Sequence, residues 1–99
     1  MADFTKAGSD RGDFEKQLKH HLISANYMYY SYMQTIDDME KDELETDLQE
    51  YLELYNTVVL PMVSFAEDLG EEKWIKKANK IKSVYEQLIE EIKKKIKTF

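Results

Sequence analysis

Leu18, Leu22, Ala25, Tyr29, Tyr32, Ile36 and Met39 follow one another at steps of four and three residues without a miss. That spacing gathers them on one side of an α-helix. It is the seam expected of a helix packed on neighbours at a shallow angle, as in a coiled coil. A second run, Leu44, Leu48, Tyr51, Tyr55, Val58, Met62, Phe65 and Leu69, obeys the same rule. So does a third, Trp74, Ala78, Ile81, Tyr85, Leu88 and Ile92, flanked by Ile75, Ile89 and Ile96. With one Pro and three Gly in 99 residues, a turn-rich β fold is excluded.

The stripe loses phase between Met39 and Leu44, where the step is five. Asp42 with Glu45 three residues later resembles a capping box, so a turn is expected near 40–42, one continuous helix being the alternative. Gly70 suits the left-handed stop of the second helix. Glu71 and Glu72 open the third helix and Lys93, Lys94, Lys95 and Lys97 close it, both favourable to the helix dipole. Glu90–Lys94 and Glu91–Lys95 are well-ordered pairs one turn apart. The expected helices are about 13–39, 42–69 and 72–97, each roughly 40 Å long. Joined by short turns, they give an all-α, antiparallel up-down-up three-helix bundle with coiled-coil-like heptad seams, one domain over 13–99. Residues 1–12, with two glycines and no periodicity, read as a flexible arm, and Ser9, Asp10 or Asp13 caps the first helix. Pro61 keeps the seam in phase and is expected to kink the second helix without breaking it.

Chemistry is hard to place on this chain. There is no Cys, which removes disulfides, thiolate metal sites and thiol nucleophiles. His20 and His21 are adjacent, so on a helix they point about 100° apart and cannot chelate one ion. Glu40-x-x-Glu43 and Glu50-x-x-Glu53 have the spacing by which all-α nucleotide pyrophosphohydrolases hold magnesium. The later Glu-x-x-Asp of that pattern is missing, and Glu50 and Glu53 lie on the polar side of their helix. Arg11, the only arginine, sits in or near the arm. No catalytic residue, metal ligand or cofactor is expected. The longest apolar run, Val58 to Val63, is interrupted by Pro61, so no membrane span is expected and the reading is a cytoplasmic protein.

Charge is segregated. Residues 22–72 carry thirteen acids against Lys41 alone, whereas residues 73–99 carry nine lysines and three glutamates; the whole chain stands at −6. The simplest account is an acidic and a basic helix complementing each other within one bundle. A functional account makes Asp37, Asp38, Glu40, Asp42, Glu43, Asp47, Glu50 and Glu53 an acidic face that imitates a nucleic-acid backbone. A further one has Lys93, Lys94, Lys95 and Lys97 hold an anionic ligand. The absence of Arg on the third helix and the large negative balance argue against nucleic-acid binding.

The most informative feature is apolar excess away from the seams. Ile23, Tyr27 and Tyr30 form a second stripe on the first helix, and Leu54 and Leu60 lie off the seam of the second. Antiparallel pairing about the residue-40 turn sets residue 23 near 60 and residue 28 near 55, bringing these outliers, with Val84, to similar heights. The expected function is therefore a non-enzymatic protein–protein interaction module. It self-associates as a homodimer, or docks on a protein partner, through Ile23, Tyr27, Tyr30, Leu54 and Leu60.

Overall fold

The computed structural model describes residues 11–99. Ser9, Asp10 and most of the expected arm lie outside the described residues; Arg11 and Gly12 already belong to the first helix. Helix α1 covers Arg11–Thr35 and ends in a tight 3-10 turn, Ile36–Asp38. The middle rod has three parts: α2, Lys41–Leu54, a π-helical turn, Tyr55–Val59, and α3, Leu60–Leu69. Helix α4 covers Glu72–Ile96. No strand occurs among the described residues, and the three rods pack against one another in a body of 46 × 19 × 17 Å.

The first turn falls where the seam loses phase, but its cap differs from expectation. Glu40, in extended backbone at φ −84° and ψ 160°, is the residue before α2. Its N–H donates to Glu43 Oε1 at 3.1 Å, one half of a capping box. Asp42 lies inside the first turn instead of capping it, because the helix begins one residue earlier at Lys41. At the second turn Gly70 takes φ +75°, and its N–H donates to the carbonyls of Ala66 and Glu67, both at 3.1 Å. Only glycine adopts that left-handed conformation without steric cost.

Pro61 has a more specific consequence than a kink. It has no N–H to donate, and its ring would press on the carbonyl four residues back in a regular helix. A π turn stands just before it: the Leu60 N–H reaches past the usual acceptor to Tyr55 O, and Pro61 falls in the first turn of α3, where a proline is tolerated. A π turn also absorbs one extra residue, so the inward face shifts across it. Val58 and Met62 are buried as the seam anticipates, while Val59, Val63 and Ala66 join them, and Phe65 and Leu69 are only half-buried.

Cross-helix contacts fix the directions. Lys73 pairs with Glu15 near the starts of α4 and α1, and Lys95 pairs with Asp37 near their far ends, so these two helices run the same way. Phe14 meets Phe65, and Tyr32 meets Tyr51, so α1 and the middle rod run oppositely. The order is up-down-up.

The helices are not equidistant. Helix α4 lies close to both others, whereas no Cα of α1 comes within 8 Å of α2, the π turn or α3. The Phe14–Phe65 and Tyr32–Tyr51 contacts set residues 23 and 60 at similar heights, as expected, but their backbones do not come close. Side-chain size is the physical reason. Ala25 on α1 and Ala78 on α4 are both buried and let those backbones approach. Across the α1–rod interface stand aromatic pairs, with centroids 4.8 Å apart for Phe14–Phe65 and 5.8 Å for Tyr32–Tyr51, both edge-on.

The core has two centres. One gathers Phe14, Leu18, Val59, Met62, Trp74 and Ile81 with their neighbours; the other holds Tyr32, Ile36, Leu44, Leu88 and Ile92. Phe14, fully buried, was not part of the first seam, although it stands one turn before Leu18.

Candidate interaction face

Ile23, Tyr27 and Tyr30 stand at i, i+4 and i+7, so they share one side of α1. That side points to solvent, with exposures of 60%, 73% and 67%. Around them, residues 22–36 include no charged side chain, about four turns of helix in a chain that is one-third charged. Leu60 is less exposed, at 36%. Leu54 is half-buried and packs on the first core centre, while Glu50, Glu53 and Thr57 border the shallow depression beside it. Val84 is also half-buried against that centre. Ile23, Tyr27 and Tyr30 thus form one exposed stripe on α1, and the two leucines stand on the middle rod, whose Cα atoms all lie more than 8 Å from those of α1.

The acidic face is partly engaged within the chain. Asp47 accepts a hydrogen bond from Tyr32 Oη at 2.8 Å, Glu43 serves the Glu40 cap, and Asp37 meets Lys95 Nζ at 3.5 Å. Asp38, Asp42, Glu50 and Glu53 point to solvent. Among the described residues no lysine of α4 reaches ion-pair distance of a carboxylate on α2 or α3, so the expected pairing of acidic and basic helices is not direct. The rod is tied to α4 by a neutral donor instead, Tyr55 Oη donating to Glu86 Oε2 at 2.5 Å. Near the end of α4, the ion pairs are Lys94–Glu91 at 3.6 Å and Lys95–Asp37, replacing the expected Glu90–Lys94 and Glu91–Lys95. Lys95 is three-quarters covered and leans toward the 3-10 turn, which takes it away from its own helix face. Lys93 and Lys97 are exposed.

His20 is exposed and His21 half-buried. Burial, and then the neighbouring His20, hold the His21 imidazole below its usual range. Among the described residues no three His, Asp or Glu side chains gather as a metal site. No helix among them is long and apolar enough to cross a membrane.

The tyrosine–carboxylate bridges have a pH consequence. Burial first, then the hydrogen bond to Asp47 and its charge, push the Tyr32 hydroxyl well above its ordinary 10.0. Burial and Glu86 push Tyr55 up to about 12, and burial raises Tyr51 and Tyr85. A raised native value means the folded chain keeps protons that the unfolded chain loses. The associated stability is complete below pH 10 and is lost as pH rises beyond it. Urea titrations above pH 10 should therefore show falling stability, with a shallower fall in Tyr32→Phe. An equal slope in the variant would show that the Tyr32–Asp47 bridge does not couple to folding.

No family model, curated protein or solved structure matches this chain. Sequence periodicity identified the stripe on α1 because three large apolar residues recur opposite a seam. It could not separate Leu54 from that stripe, since Leu54's burial depends on the spacing of α1 and the rod. It also missed a groove between α1 and α4, whose lining comes from residues some fifty positions apart.

Proposed function

We propose that this chain is a non-enzymatic interaction module that pairs with a second copy of itself through the solvent face of α1. The observation that carries the reading is the exposure of Ile23, Tyr27 and Tyr30 within an uncharged stretch of an otherwise charged helix bundle. Two copies of a chain at −6 repel each other on average, and an uncharged face is where that repulsion is least. Tyrosine suits such a face: its ring buries a large area at small entropic cost, and its hydroxyl still finds water or a partner at the rim. A two-fold arrangement lets one stripe bury against its own copy, contributing roughly 1.5–3 kcal/mol for each apolar side chain fully covered, before association costs. Asp37 and Asp38, beyond the end of the uncharged stretch, would stay hydrated at its edge.

Sedimentation equilibrium at tens of micromolar tests it. The wild type is expected to be a dimer. Tyr27→Glu with Tyr30→Glu is expected to be monomeric with an unchanged helical circular-dichroism spectrum, because neither ring contributes to the core. A monomeric wild type would leave the stripe to a foreign protein, and an unfolded double variant would return the tyrosines to the core. The acidic face as a nucleic-acid mimic is the lesser reading, since Asp47, Glu43 and Asp37 are already engaged within the chain.

A further inference from the structure

Helices α1 and α4 run in the same direction and leave a groove lined, among the described residues, by these two helices. Its floor is apolar: Leu22 and Val84, both half-buried and packed on the first core centre. Its walls are polar, with Asn26 on α1 and Asn79 and Ser83 on α4. Lys76 and Lys80, one turn apart, stand over it. Lys76 makes a solvent-exposed pair with Glu72 at 3.6 Å, a contact worth little and easily exchanged. Lys80 makes no ion pair with any described residue. Between Lys73 and Lys82 the helix carries five lysines and no acid.

We propose that this groove receives an acidic amphipathic helix of a partner protein, completing a four-helix arrangement. The apolar floor takes the partner's leucine-type side chains, and the two lysines take carboxylates spaced one turn apart on its flank. Asn26, Asn79 and Ser83 can donate or accept along the seam of contact. A nucleic-acid backbone matches the lysines but offers nothing to the apolar floor, and a chain at −6 without arginine in the groove is poorly suited to it. A second copy is also a poor occupant. Its own acidic helix, α2, already has Leu44 buried and Leu48 and Tyr51 packed on the core, so among the described residues no acidic helix has a free apolar side to offer. The proposal does not rest on pairing through Ile23, Tyr27 and Tyr30, although Asn26 stands one turn from Ile23 and from Tyr30, where the two surfaces adjoin.

The probe is a synthetic capped peptide of roughly 18 residues, long enough to hold a helix. It carries leucines at three- and four-residue steps and glutamates flanking them. Calorimetric titration of the full chain should show saturable one-to-one binding in the micromolar range that weakens with salt. Lys76→Glu with Lys80→Glu, both solvent-exposed and therefore harmless to folding, should weaken it about tenfold or more. A peptide with lysines in place of the glutamates should not bind. Absence of binding up to about 1 mM, equal affinity in the charge-reversed variant, or equal affinity for the lysine peptide would overturn the proposal. So would preferential binding of single-stranded RNA or phosphatidylserine vesicles that depends on the same two lysines, which would assign the groove to phosphates.

Discussion

Leu88→Ala is expected to cost about 2–5 kcal/mol of stability, a loss large enough to be read directly in a urea titration. Leu88 is fully buried on α4, in the core centre that also holds Tyr32, Ile36, Leu44 and Ile92. Contributors from α1's end, α2 and α4 all meet there, so removing three carbons leaves a cavity that no single helix can close by moving. The range depends on how far the aromatic side of that centre relaxes: Tyr32 is pinned through Asp47 and Tyr51, which favours the upper part. Leu48→Ala should cost less, because Leu48 is only half-buried. Trp74 provides a second reading of the same experiment. It lies in the other core centre, edge-on to Phe14 at 5.9 Å, and is the only tryptophan. If the two centres unfold as one unit, Trp74 fluorescence and helical circular dichroism will shift together in Leu88→Ala. Fluorescence that stays at the wild-type midpoint while the helical signal shifts would show two separately unfolding ends.

The periodic residues of all three rods are buried or half-buried, and Gly70 stops the rod with the conformation its lack of a side chain allows. The phase across Pro61 was not legible: after the π turn Val59, Val63 and Ala66 are buried, whereas Phe65 and Leu69 are only half-buried. Tyr27 and Tyr30 fell outside the seam and are among the most exposed apolar residues described. Features that depend on two helices at once were not legible. Leu54 packs on the first core centre, and the α1–α4 groove is lined by residues of both helices, so neither follows from the period of one helix. The spacing between helices is set by which side chains meet across the interface, and a periodic pattern does not report that. Glu40 displaced Asp42 as the cap for a local reason that the sequence left ambiguous, since Glu43 and Glu45 each offer a carboxylate three residues on.

The rod around Pro61 provides the sharper test, because two inward faces compete there. A regular helix continues the seam through Val58, Met62, Phe65 and Leu69. In that arrangement Val63 falls on the solvent side, where a charged replacement changes stability by no more than about 0.5 kcal/mol. The π turn Tyr55–Val59 admits one more residue before α3 begins and turns Val59, Val63 and Ala66 inward instead. Proline is what tips the choice: the regular arrangement sets its ring against the Thr57 carbonyl, at a cost of about 3 kcal/mol or more. The π arrangement gives up one standard hydrogen bond, keeps the Leu60–Tyr55 bond, and buries two additional valines. Val63→Asp is therefore expected to lose about 2–5 kcal/mol, since an ionised carboxylate would have to enter a centre made of Phe14, Leu18, Met62 and Trp74. Val63→Thr, of nearly the same shape, should fall in between, because its hydroxyl can return a hydrogen bond to the backbone of the preceding turn. Thermal melts of the three proteins in that order would place Val63 inside the bundle. A Val63→Asp melting temperature equal to that of the wild type would remove the π turn and restore an unbroken seam through Phe65 and Leu69.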